Sequence, residues 1–244
     1  MKLRYTLLLS IFCVCLLSSP SYPEISQYFD SDGNPLSTRS RNRAYSPSAG
    51  NQRYSVPEGI VLQKDIRYEF YPVFGKTFSE IVQSAEENMP VNPKEKSGRP
   101  ARFEWTVGWT YKVDYSEEMD EEDQTVRVSA EIYDINITYD IKMTLPTLID
   151  DTVLNPAEKN LWKNYYLRLV KSEHARANMI RDKDTQDELR KKFIALDSAI
   201  FFFPPDIDIK KAVEALIQKE TKKIGSEWVK DLKKRISEYD RETE

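Results

Sequence analysis

One short stretch of this chain holds the residue types from which hydrolytic chemistry is built. Ser172-Glu173-His174-Ala175-Arg176 brings together a hydroxyl, a carboxylate, a guanidinium and the only histidine of the 244 residues. On a helix, the spacing His-Glu-x-x-His sets two imidazoles on one face around a zinc ion. The Glu between them then serves as general base toward the metal-bound water. Against that spacing, Glu173 stands in the base position, while the two ligand positions read Ser172 and Arg176. Serine is a poor zinc ligand, and a guanidinium is a fixed cation that ligates nothing. His174 occupies neither ligand position. Glu173 is therefore a catalytic candidate only if other groups hold the metal, and the degenerate positions predict that no cofactor is bound.

Other hydrolytic routes have little material. With one histidine and two cysteines, Cys13 and Cys15, both near the N-terminus, Ser-His and Cys-His nucleophiles are all but excluded. There is no Gly-x-Ser-x-Gly elbow, and the seven scattered glycines build no phosphate-cradling loop. The carboxylates Asp182, Asp184, Asp187 and Glu188 read as a solvated helix face or turn rather than a cation site. Glu117 and Glu118 belong to a like-charged loop run, and Asp30 to Asn34 reads as a turn, since the rest of a calcium-loop spacing is missing.

The N-terminus predicts export. Lys2 and Arg4 precede an apolar run from Tyr5 to about Leu17, too short to span a bilayer, and small residues follow to Ser21. This is the pattern of a signal peptide over residues 1–21. Cleavage near Ser21 ranks ahead of lipid attachment at Cys15, where Val14 is a poor fit to the small residue that should precede a lipidated cysteine. Both cysteines leave with the leader, so no disulfide is expected in the periplasmic or extracellular product. Its net charge moves from −4 to −6, because Lys2 and Arg4 are lost and residues 1–21 contain no acid. An acidic chain lacks the basic face that nucleic acid demands. No second apolar run is long enough for a membrane span, so the partners to expect are proteins or peptides.

The elements that position these residues follow from periodicity. Residues 22–65, rich in Ser, Asn, Arg, Pro and Gly, have the composition of a disordered linker, with Arg39, Arg41 and Arg43 as a small basic arm. The domain spans 66–244. Arg67 to Val73 reads as a strand that Pro72 pushes toward an edge. Thr77 with Glu80 forms a capping box, opening a helix that stops before Pro90. From Phe103 to Tyr115 every odd position is aromatic or β-branched, and mostly polar residues alternate with them, so a long strand presents an aromatic row to the core. A ligand platform built on Trp105 and Trp109 is the competing use of that row. The acidic run Glu117 to Asp123 reads as a hairpin loop, and in the next strand the apolar phase slips, predicting a β-bulge near Tyr133 and Asp134. Asn155-Pro156 caps a helical region that continues to about Ala199, with an interruption between Arg181 and Gln186. Phe201 to Pro205 reads as a break, and a last amphipathic helix runs from about Ile209. Strands first and helices after give an α+β domain, a small, mostly antiparallel sheet packed against C-terminal helices.

Several short stretches together resemble a bacterial domain-of-unknown-function family described as predicted secreted zinc-dependent proteases. They are Tyr71 to Thr77, Ala101 to Tyr111, Thr144-Leu145-Pro146, Trp162 with Tyr165 and Leu169, and Tyr239 to Thr243. In that family the Trp162 stretch leads into His-Glu-x-x-His, which registers onto Ser172, Glu173 and Arg176. A C-terminal motif resembling Tyr-Asp-x-x-Thr-x-His-Gly matches here at Tyr239, Asp240 and Thr243, and its His, a candidate third ligand, has no counterpart in this chain. The resemblance therefore implies a pseudoenzyme, a non-catalytic relative retained for binding or structure. The alternative is a working zinc metallopeptidase whose ligands are non-standard, such as Glu173 with His174. On a helical wheel Glu173 and Arg176 fall inside an otherwise apolar arc with Trp162, Tyr165, Tyr166, Leu169 and Ile180. Buried unpaired they would be costly, so an i, i+3 ion pair between them is expected where relatives hold zinc.

Overall fold

A polar–apolar alternation from Phe103 to Tyr115 opens a long hairpin. In the computed structural model, which describes residues 25–36, 56–90, 100–122, 124–150, 154–198 and 200–243, β3 (Arg102–Asp120) and β4 (Thr125–Leu148) pair antiparallel along most of their length. Trp105 lies opposite Ile141, Trp109 opposite Ile137 and Val113 opposite Ile132, all on the core face. Register shifts once. Thr110 pairs with Asn136 but Lys112 with Tyr133, so Asp134 and Ile135 together oppose Tyr111. Asp134 takes φ +55° there, and its carboxylate accepts from Lys112 Nζ at 2.7 Å. The bulge predicted from the phase slip is present, and it keeps the apolar residues on one side.

Among the described residues the sheet has five strands. Beside the hairpin lie β1 (Ile25–Asp30) on β3 and β2 (Arg67–Val73) on the C-terminal half of β4, while β5 (Ile200–Phe203) pairs with its N-terminal half. Among the described strands only β2 runs parallel to its neighbour. The helices are α1 (Phe78–Asn88), α2 (Pro156–Arg181), α3 (Lys183–Ile194) and α4 (Ile209–Thr243). The α+β class and the mostly antiparallel sheet are as expected. Thr77 caps α1 and Asn155 caps α2, each accepting from the backbone N–H three residues on. The interruption falls at Asp182, which ends α2 and caps α3.

Two apolar clusters fill the interior. The larger joins the aromatic row of β3 to α3 and α4, and the smaller gathers β2, α1 and the first half of α2. Trp109 is fully buried, with Phe29 stacked on it at 4.6 Å and Phe193 tilted against it at 5.4 Å. α4 approaches Trp109 so closely that a Cβ on Gly225 would lie 2.0 Å from the indole. With Trp105 also buried, the row is a core row and the ligand-platform reading is overturned.

Three further expectations are corrected. Glu117 to Asp120, read with the acidic run as a hairpin loop, continue β3 and pair with Thr125 to Val128. Residues 25–30, placed in a linker, form the edge strand β1, because Gln27 and Phe29 alternate into the core and find partners far along the chain. Gln27 Oε1 accepts from Trp109 Nε1 at 3.1 Å, and Gln27 Nε2 donates to the Gln218 carbonyl at 2.9 Å. The Tyr111 hydroxyl and Thr221 Oγ1, 2.9 Å apart, extend that buried network onto α4. The Phe201 segment is a strand rather than a break, with Phe201 and Phe203 packed on the core. Asp30 to Asn34 is a turn as expected, the Asp30 carboxylate accepting from the Asp32 and Asn34 amides. The leader at 1–21 and the arm of Arg39, Arg41 and Arg43 lie outside the described residues. Among the described residues, no helix is long and apolar enough to cross a membrane.

Candidate functional site

Helix α2 buries one face, and that face carries charge in its C-terminal half. Its buried residues are Trp162, Tyr166, Val170, Glu173, Arg176, Ala177 and Ile180. The wheel thus placed Glu173 and Arg176 correctly. The N-terminus of α2 is held to α1 as well, since the Phe78 amide donates to Glu158 Oε2 at 2.6 Å. This fixes the axial position of the helix, and through it the height of the charged residues.

Arg176 sits between two carboxylates. Its Nη1 donates to Glu173 Oε1 at 2.6 Å, and its Nε donates to Asp240 Oδ1 at 2.7 Å. The side chains of Arg176 and Glu173 are only 9% and 4% exposed, and that of Asp240 16%. Burial works against the guanidinium's charge, but Glu173 and Asp240 outweigh it and hold its proton more firmly than in an ordinary arginine. The expected i, i+3 pair is present, and Asp240 of α4 turns it into a bridge between two helices.

These groups form the floor of an open cleft of about 360 Å³. Ser172, Glu173, Arg176, Asp240 and Thr243 line one part, and Pro100, Ala101, Tyr165 and Leu169 give it an apolar wall. Arg168 stands exposed at the rim. The Tyr165 hydroxyl is pushed up to about 12 by burial and then by the charge of Glu86, so it stays protonated and can donate. The structure thus gathers the two degenerate motif positions, Ser172 and Arg176, with the retained Glu173 and the C-terminal stretch around one hollow. The sequence reading missed Asp240 as a charge partner. The signal was there, because Asp240 continues the buried Leu232–Ile236 stripe of α4 by one further helical step.

His174 lies outside that cleft. Its Nε2 is 2.7 Å from the Tyr68 hydroxyl, which also accepts from the Gln63 amide at 3.1 Å. Which of the two atoms donates in that contact follows the tautomer of the imidazole. Burial lowers the affinity of His174 for a proton, and the nearby Arg181 lowers it further against a weaker opposing pull from Asp65. Arg181 ion-pairs with Asp65 and donates to Gln63, strapping that segment to α2.

Four of the remaining candidates have structural partners. Asp182 caps α3 through Thr185, Asp187 pairs with Arg190 at 2.7 Å, and Glu188 pairs with Arg235 at 3.2 Å. Glu118 faces Arg127 across the hairpin. Among the described residues, no three His, Cys, Asp or Glu side chains converge as a ligand set.

Comparison with known proteins places these coordinates in a family context. The family described as "Bacterial protein of unknown function (DUF922)" matches residues 68–244. The match takes in every residue lining the cleft and leaves out β1. Neither the curated proteins nor the solved structures contain a match.

Proposed function

We propose, from the premise that this chain belongs to the bacterial family of unknown function DUF922, that it is an exported, non-catalytic binding or structural module. One observation carries the reading: Arg176 fills the floor of the cleft, clamped between Glu173 and Asp240. Arg176, like Ser172, stands where the resemblance to predicted secreted zinc-dependent proteases asks for a metal ligand, and Glu173 where it asks for the general base. Donor chemistry supports the same conclusion. A hydroxyl at 172 and a guanidinium at 176 do not fit a zinc ion, and a fixed positive charge at the centre opposes any divalent cation. Without a metal, Glu173 has no water of lowered pKa to work on, and its carboxylate is already committed to Arg176.

What remains is a shaped hollow with an apolar wall, a polar floor and an arginine at the rim. Such a surface suits a segment of a protein or peptide, with the bridge keeping α2 and α4 at a fixed separation beneath it. The fold is kept and the chemistry is replaced by an ion pair.

The test is the zinc content of the purified protein after exposure to dilute zinc and exhaustive dialysis. The expected outcome is no retained zinc, in a protein whose far-ultraviolet dichroism and thermal midpoint do not change with a chelator. Near-stoichiometric zinc, lost on Glu173→Ala or His174→Ala, would instead establish the metallopeptidase reading with non-standard ligands.

A further inference from the structure

Helix α4 gathers its lysines on one side. At about 100° per residue, an arc of about 120° centred on Lys219 holds seven positions between Lys219 and Lys234. Six of them are lysine, namely Lys219, Lys222, Lys223, Lys230, Lys233 and Lys234, and the seventh is Ser226. All six lysines are exposed. The row runs for about 22 Å along an unbroken helix. The acids of the same stretch, Glu220, Glu227 and Asp231, fall on the next arc, toward α3, where Arg235 meets Glu188. The net charge of the whole chain is −4, so this face departs from the composition in sign.

Little neutralises the row. Among the described residues, Lys233 pairs with Asp32 and Lys234 lies 3.8 Å from Glu238. Lys219, Lys222, Lys223 and Lys230 form neither an ion pair nor a side-chain hydrogen bond there. Cations elsewhere are matched more closely, as Arg67, Arg181 and Arg190 each meet a carboxylate. The turn after β1 borders the row, its Gly33 carbonyl accepting from Ser226 Oγ at 3.2 Å. The sequence beyond that turn, from residue 37 to residue 55, has four arginines and no carboxylate. No charge in that stretch can therefore cancel the row.

We infer that this face of α4 is a docking surface for an anionic lipid bilayer. Charge sets the sign of the partner, and residue type selects among polyanions. The row holds no aromatic ring to stack on bases and no arginine to fork onto single phosphates, the groups by which nucleic acid is ordinarily gripped. Ammonium groups on flexible stems need no register, which suits a plane of mobile headgroups. With no apolar side chain in the row, the contact stays at headgroup level and does not become the insertion of an amphipathic anchor. Each lysine brought to a strongly anionic surface raises partitioning by about fivefold. The row shares no residue with the Arg176 cleft, so the two surfaces can be tested independently.

The experiment sediments the purified protein with vesicles of phosphatidylcholine alone and of phosphatidylcholine mixed with phosphatidylglycerol. Binding is expected with the anionic vesicles only, and it should disappear in about 1 M salt, where the screening length falls to about 3 Å. Lys222→Gln/Lys223→Gln/Lys230→Gln is expected to weaken it by about a hundredfold, whereas Lys222→Arg/Lys223→Arg/Lys230→Arg retains it. Removing the same charge from α2 and α3, in Lys171→Gln/Lys191→Gln/Lys192→Gln, should leave binding unchanged. All of these positions are exposed, and thermal midpoints serve as the control for folding. Failure to sediment with anionic vesicles, equal sedimentation with neutral ones, or equal weakening by the two glutamine triples would overturn the inference. So would tighter binding to duplex DNA or to polyglutamate than to the vesicles at the same salt, since the row would then serve a nucleic acid or an acidic protein.

Discussion

Replacing Arg176 by methionine tests the bridge directly, and the size of its effect follows from burial. Methionine retains most of the packed volume but removes the charge facing Glu173, whose side chain is 4% exposed. Breaking a buried pair in this way costs about 3–5 kcal/mol, because the surviving carboxylate is left without its counter-charge. The loss has a ceiling, since Glu173 can escape by taking a proton. Holding a carboxyl of ordinary pKa about 4.3 neutral costs about 1.36 kcal/mol per pH unit, or about 3.7 kcal/mol at pH 7 and about 1 kcal/mol at pH 5. The sign is fixed by linkage. In the variant, the folded-state pKa of Glu173 lies above its unfolded value, so the deficit grows as pH rises past about 4.3 and shrinks on acidification. Asp240 also loses a partner, but at 16% exposed it recovers part of its hydration. Urea unfolding followed by tryptophan fluorescence, for the parent and Arg176→Met at pH 7 and pH 5, measures both numbers. Adding Glu173→Gln to the variant should restore much of the loss at pH 7. A deficit below about 0.5 kcal/mol, or one equal at the two pH values, would refute the reasoning, because neither is compatible with a stranded buried charge.

Two other expectations rest on geometry elsewhere. Gly225→Ala places a methyl group within 2.0 Å of the Trp109 ring, so it should destabilise by about 1–3 kcal/mol, read as a lower urea midpoint with an altered Trp109 environment. His174, the single imidazole, should titrate below the ordinary value of about 6.5, as burial and Arg181 require. Because its folded pKa is depressed, the fold loses stability as pH falls below the unfolded value and stops losing it once the folded imidazole is itself protonated. A proton NMR titration of that one residue, with melting curves over the same range, checks both statements.

Local rules read much of this fold and failed at identifiable places. Thr77 and Asn155 were recognisable as caps because each satisfies an amide three residues on, a relation contained within one turn. The bulge at Asp134 was legible because a phase slip has only one way to keep an apolar face inside. β1 was not legible. Six residues with a Gln, a Ser and an Asp among them look solvated, and only the indole of Trp109 and the carbonyl of Gln218 show why Gln27 is buried. β5 was hidden for a similar reason, since three consecutive phenylalanines obscure the alternation that its pairing with β4 reveals. At the site, helical spacing predicted the Glu173–Arg176 pair, whereas Asp240 lies 64 residues from Arg176 and needed the packing of α4 to join it.

β1 also sets the order of events during synthesis. Its first side chains to be made face partners 82, 191 and 194 residues later, in β3 and near the middle of α4. Until the last helix exists, Phe29 and Gln27 have only half of their surroundings, and the hairpin lacks the layer that covers Trp109. The fold therefore closes late, with β1 and α4 meeting over one tryptophan, and contacts of such long sequence separation are made slowly. For the exported chain proposed above, which would have to remain unfolded until all of it had been delivered, that delay would be a useful property.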